Sequence, residues 1–82
     1  MNSLLIEVYV PSIGGTFDVS IPSSARVFEL LPLIIVAVSR IAEGLFVSKN
    51  MALCDGSTGT IFRNNMTVED MQLKNGSRIL LI

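Results

Sequence analysis

Few residues of this chain could carry covalent chemistry. Cys54 is the one thiol, and the sequence has no histidine. A cysteine nucleophile reacts as its thiolate and needs a basic neighbour or a helix N-terminus to lower its pKa. The surrounding Met51-Ala52-Leu53-Cys54-Asp55 offers no base, so Cys54 reads as a small strand hydrophobe. Without histidine, the usual Cys/His zinc sets and His-based triads cannot be assembled, and general base work would fall to a perturbed carboxylate or lysine. Gly14-Gly15 has the composition of a diglycine that an enzyme adenylates. That chemistry needs a flexible C-terminal carboxylate, whereas this pair is internal and reads as a turn supplying φ > 0. Gly56-Ser57-Thr58-Gly59 is bounded by glycines but has no following lysine and no strand-loop-helix setting for a phosphate. Asn65-Met66-Thr67 and Asn75-Gly76-Ser77 match the glycosylation pattern and read better as turn and cap residues. Binding, not catalysis, is the expectation.

The chain has 82 residues and a net charge of −1, which fits a single domain spanning residues 1–82. Hydrophobic residues make up 50% and charged residues only 16%, against roughly 25% charged in ordinary soluble domains. A domain of this size buries only about 60–65% of its unfolded surface, so part of the apolar material must face a partner. Basic residues are scattered singly at Arg26, Arg40, Lys49, Arg63, Lys74 and Arg78, which disfavours nucleic acid. The start, Met1-Asn2-Ser3-Leu4-Leu5-Ile6-Glu7, lacks the basic region of a signal peptide. The longest uncharged apolar stretch, Leu30 to Val38, is interrupted by Pro32 and falls short of the about 20 residues that span a bilayer. A cytoplasmic protein without direct membrane insertion is expected.

The elements that must position any binding residues follow from periodicity. Leu4 to Val10 and Thr16 to Ile21 are β-rich; Phe17, Val19 and Ile21 share one face, and the two runs form a hairpin around Gly14-Gly15. Pro22-Ser23-Ser24 follows, with Ser23 or Ser24 as the helix N-cap. From Ala25 to about Gly44 the period becomes helical: Val27, Leu30, Leu31, Ile34, Val38 and Ile41 fall within about 60° of one line, with Glu29, Arg40 and Glu43 opposite. Pro32 should kink this helix. Gly44 and Ser48-Lys49-Asn50 end it. Short strands are expected at Met51 to Cys54 and Thr60 to Phe62, then one capped helical turn at Thr67 to Met71. Asn75-Gly76 turns the chain into a final strand, Arg78 to Ile82.

Hairpin, long helix, two short strands, one helical turn and a closing strand are the order of an α+β, β-grasp (ubiquitin-like) fold: a mixed sheet of four to five strands with one main helix packed across it. The stretch from Thr67 to Ile82 resembles the ubiquitin-like C-terminal pattern. Among such proteins the chain is most similar to the small bacterial YukD/EsaB family that accompanies type VII (WXG100) secretion. The carrying residues are Phe17-Asp18-Val19, the apolar helix beginning near Arg26-Val27, and Leu73-x-Asn75-Gly76-x-Arg78-Ile79-x-Leu81. Pro32 inside the helix and Leu80, where that strand often has a polar residue, depart from the pattern.

The resemblance implies a non-enzymatic accessory or regulatory binding module, needing no cofactor or metal. Its partners would be proteins, the secretion ATPase or permease, which would hold it peripherally at the inner face of the membrane. The alternatives are a sulfur carrier or modifier, disfavoured because no Gly-Gly tail follows Ile82, and an isolated ubiquitin-like domain of a larger permease. Two apolar surfaces are the candidate interfaces. If Ile79 and Leu81 point inward, Leu80 and Ile82 point outward with Cys54 beside them. The other surface is the helix flank of Phe28, Leu33, Ile35 and Val36, a candidate for homodimer formation.

Overall fold

The structure is a computed structural model that describes residues 2–42 and 51–82. Its first two strands, β1 (Ser3–Val10) and β2 (Gly15–Pro22), pair antiparallel, with Ile6 opposite Val19 and Val8 opposite Phe17. The turn between them is closed by Ile13 N–H donating to the Val10 carbonyl and Gly14 N–H to that of Pro11, both at 3.2 Å. Gly14 has φ +64°, where a side chain would be strained, while Gly15 already belongs to β2. Alternation sends Ile6, Val8, Val10, Val19 and Ile21 into the core, with Phe17 packed at its margin.

The helix α1 (Val27–Ala42) covers that apolar face through Val27, Leu30, Ile34, Val38 and Ala42. Its N-terminus differs from expectation. Ser23 and Ser24 lie upstream of the cap, and the first free helical N–H groups are satisfied by backbone: Val27 donates to the Met66 carbonyl at 2.9 Å and Phe28 to that of Asn64 at 3.1 Å. Glu29 Oε1 reaches back to accept the Arg26 N–H at 3.0 Å. A distant loop therefore supplies the cap that the serines were expected to provide. The helix runs continuously through Pro32, which has no N–H for the Phe28 carbonyl and lies on the exposed side. Ile41, expected on the buried line, is instead exposed, and Ala42 is buried. The helix stop expected at Gly44 and Ser48 to Asn50 lies outside the described residues, as does Glu43.

The remaining strands are β3 (Leu53–Asp55) and β4 (Arg78–Leu81), and the sheet order is β2-β1-β4-β3. β4 runs parallel to β1 and antiparallel to β3, which makes the sheet mixed. Ile79 and Leu81 of β4 and Leu53 of β3 complete the core under α1. The expected strand at Thr60 to Phe62 is reduced to a single bridge, Ile61 to Cys54, so four strands form among the described residues. Phe62 turns into the core and its N–H donates to the Leu53 carbonyl at 2.9 Å. The capped turn at Thr67 to Met71 is present, with the Met71 N–H donating to the Thr67 carbonyl at 3.0 Å. A hairpin, a helix laid across it and a closing strand slotted beside β1 make this a β-grasp fold.

Candidate protein-binding surface

The side of the sheet turned away from α1 is polar along β2 and apolar around β4, with Leu5 of β1, opposite Ser20, exposed among the polar residues. On β2, Thr16, Asp18 and Ser20 alternate with the inward residues and are exposed. Beside them Glu7 of β1 pairs in register with Arg78 of β4, joined by a hydrogen bond from Arg78 Nε to Glu7 Oε1 at 2.6 Å and by the charge contact of the same groups. Two residue pairs further along, and so on the same face, Tyr9 stands beside Leu80. Leu80 in turn lies opposite Cys54, and Cys54 opposite Ile61. Ile82 is held against Ala52 by two backbone bonds, Ala52 N–H to Ile82 O at 2.7 Å and the reverse at 3.0 Å, so alternation places it on the same side as Leu80. Ile61 is 61% exposed and Ile82 48%, while Tyr9 and Leu80 are half-buried.

Leu80, Ile82 and Cys54 thus come together as expected from the sequence, with one correction. Cys54 is wholly buried. It forms the floor of the patch, hidden below Leu80 and Ile61 on its two neighbouring segments, and burial pushes its thiol pKa up. It can set the shape of the surface but cannot touch a partner. Tyr9 and Ile61 were not anticipated, although alternation carried the signal: Val8 and Val10 inside leave Tyr9 outside, and Phe62 inside leaves Ile61 outside.

The second expected surface lies on the opposite side of the molecule. Phe28, Leu33 and Val36 are exposed on α1. Ile35 does not join them: it is partly buried and packs against the core at the helix flank. Phe28, Pro32 and Val36 form one i, i+4 row on the solvent side, and Leu33 and Ile41 belong to the adjacent one. No helix among the described residues is long and apolar enough to cross a membrane, which says nothing of strands.

Two carboxylates, Asp55 at the end of β3 and Asp70 in the capped turn, are committed to local turns. Asp55 Oδ1 accepts the Ser57 hydroxyl at 2.6 Å, the Ser57 N–H at 2.7 Å and the Thr58 N–H at 3.2 Å, and these bonds hold its pKa below the ordinary range. Asp70 is held down in the same way, first by the Thr67 N–H and then by the Thr67 hydroxyl, with a smaller contribution from the Arg26 charge. Groups favoured as anions are poor general bases near neutral pH. Among the described residues no three His, Cys, Asp or Glu side chains gather as a metal site.

This combination defines a ubiquitin-like fold with an apolar patch on its outer sheet. Comparison with solved structures agrees on the fold. The EccD5 ubiquitin-like domain from Mycobacterium xenopi superposes with a TM-score of 0.81 at 19% identity, over 100% of this chain and 94% of that one. The ubiquitin-like domain of ECCD1, a type VII secretion system protein of Mycobacterium tuberculosis, gives 0.78 at 13% identity, over 100% and 99%. A chain of the MycP5-free ESX-5 inner membrane complex gives 0.77 at 21% identity, with 100% of this chain covering 21% of that one. At these identities the likeness is one of fold. No protein-family model and no curated protein sequence matches the chain.

Proposed function

We propose that residues 1–82 form one ubiquitin-like domain that works by contact, as a non-enzymatic accessory or regulatory component of a bacterial type VII secretion system. The observation that carries the binding role is the apolar cluster of Tyr9, Leu80, Ile82 and Ile61 on the outer sheet face, separated along β1 from the exposed Leu5 by Glu7. Exposed and half-buried apolar side chains at neighbouring positions, rimmed by the Glu7–Arg78 pair, have the composition of a small interface centre with a polar edge. The secretion role is supported by the YukD/EsaB-like closing motif and by the similarity in fold to EccD ubiquitin-like domains. In this reading the domain sits in the cytoplasm and reaches the inner face of the membrane by binding the secretion ATPase or permease. A buried single thiol and carboxylates tied into turns support a role without catalysis.

Affinity purification of the chain from cells carrying such a system tests the reading. Retention of the ATPase or permease, lost with Leu80→Glu or Ile82→Glu in a chain that still folds by circular dichroism, is the expected result. Failure to retain either, together with unchanged export of small WXG100 substrates on deletion, would overturn it.

A further inference from the structure

The solvent side of α1 is self-complementary in a way that the sheet patch is not. Glu29 lies in its first turn and Arg40 in its last, about three turns apart. At 3.6 residues per turn the two point in nearly the same direction, and Leu33 and Val36 lie between them along that line. For a second helix laid antiparallel against this side, the two-fold axis lies between the two helices, perpendicular to both, at the level midway between Leu33 and Val36. That axis sets Leu33 of one copy at the level of Val36 of the other, and Glu29 at the level of Arg40. Leu33 and Val36 are exposed, and the exposed Phe28 and Ile41 flank them roughly 110° to either side.

We infer that α1 is the contact surface for a second copy of this chain, packed as an antiparallel, two-fold symmetric helix pair. In that arrangement Leu33 of each copy meets Val36 of the other at the centre, and Glu29 of each meets Arg40 of the other at both ends. An isologous contact requires a patch that matches its own rotated image, and this one does in both shape class and charge. A parallel pair would set Glu29 against Glu29 and Arg40 against Arg40, so the same charges select the antiparallel register. Glu29 Oε1 already accepts the Arg26 N–H at 3.0 Å, which orients the carboxylate, and its remaining lone pairs can take a guanidinium. The contact leaves the outer sheet face open, because α1 packs on the inner side of the sheet. Its success or failure is therefore independent of the secretion partner.

Sedimentation equilibrium of the whole chain at low salt tests the pair. The expected result is a monomer–dimer equilibrium at micromolar concentration. Arg40→Glu, which places like charges opposite each other twice, should weaken it by roughly tenfold or more, and the double exchange Glu29→Arg with Arg40→Glu should restore it. Because Glu29 also caps the helix, Leu33→Glu serves as a second disrupting variant, with folding checked by circular dichroism. Leu80→Glu should leave the dimer intact. A wild-type chain that stays monomeric at high micromolar concentration overturns the inference. So does a dimer that survives both Arg40→Glu and Leu33→Glu, or one that is lost with Leu80→Glu.

Discussion

Thr67 and Asp70 hold each other's backbone. Asp70 Oδ2 accepts the Thr67 N–H at 3.0 Å, and Thr67 Oγ1 accepts the Asp70 N–H at 3.0 Å. This reciprocal cap fixes a single helical turn whose buried residues, Val68 and Met71, fill the core. The same segment docks on the residues leading into α1, since the Val68 N–H donates to the Ala25 carbonyl at 3.3 Å and Arg26 bridges to Thr67.

The pH dependence of stability follows from this cap and from the turn at Asp55. Both carboxyls have pKa values lowered by the fold, so the unfolded chain binds more protons than the native one as the pH falls through the ordinary aspartate range. Their contribution should be complete above the unfolded pKa of about 3.9 and should be lost below it, as the pH drops through the folded values. Urea midpoints measured from pH 6 down to about pH 2 should fall, and Asp70→Asn with Asp55→Asn should flatten that slope.

Gln72 closes the same turn with φ 56°, the left-handed region that costs an ordinary side chain about 1–2 kcal/mol. Its N–H donates to Glu69 O at 2.9 Å and the Leu73 N–H to Val68 O at 3.2 Å, the pattern of a Schellman helix stop, which normally favours glycine there. Gln72→Gly should therefore raise stability by about 0.5–1 kcal/mol, the remainder being offset by glycine's greater freedom in the unfolded chain. A lowered urea midpoint would contradict this account of the turn.

Gly56 lies directly beside β4. Its N–H donates to the Arg78 carbonyl at 3.0 Å, and a Cβ added there would run into that carbonyl and come within 2.7 Å of Arg78 Cγ. The backbone carbonyl cannot move without disturbing the strand, so Gly56→Ala should destabilise by about 1–3 kcal/mol. Chemical denaturation measures the loss, and amide exchange should quicken first in β3 and β4.

Cys54 should be inert in the folded state. Burial both shields its sulfur and disfavours the thiolate. Iodoacetamide followed by mass measurement should show slow labelling at neutral pH in buffer and rapid labelling in denaturing urea. Fast native labelling would mean that the patch floor opens.

Period-2 alternation made the hairpin and the inward Ile79 and Leu81 legible in the sequence, and the 3.6 period did the same for the face of α1 carrying Val27, Leu30, Ile34 and Val38. The misses share a cause. Helical spacing gives the direction of Ile41 but not what lies beneath that turn. Serine preference nominates a cap at Ser23 or Ser24, but the carbonyls of Asn64 and Met66 arrive from far along the chain and take that role. Alternation puts Cys54 beside Leu80, yet its burial depends on having segments on both sides. Ile61, which contributes one of those segments, needs only a single bridge to reach it.

β4 has a partner on each side, and β3 is paired through it. The join to β1 brings together positions 71 apart in sequence, as in the bond between Arg78 and Glu7, so closing the sheet carries the entropy of a very long loop. Leu80 and Ile82 are displayed only when that closure is complete. Occupancy of the sheet patch is thereby linked to folding of the chain as a whole: a ligand there draws on the full unfolding equilibrium, and its affinity should be readable as a concentration-dependent rise in melting temperature.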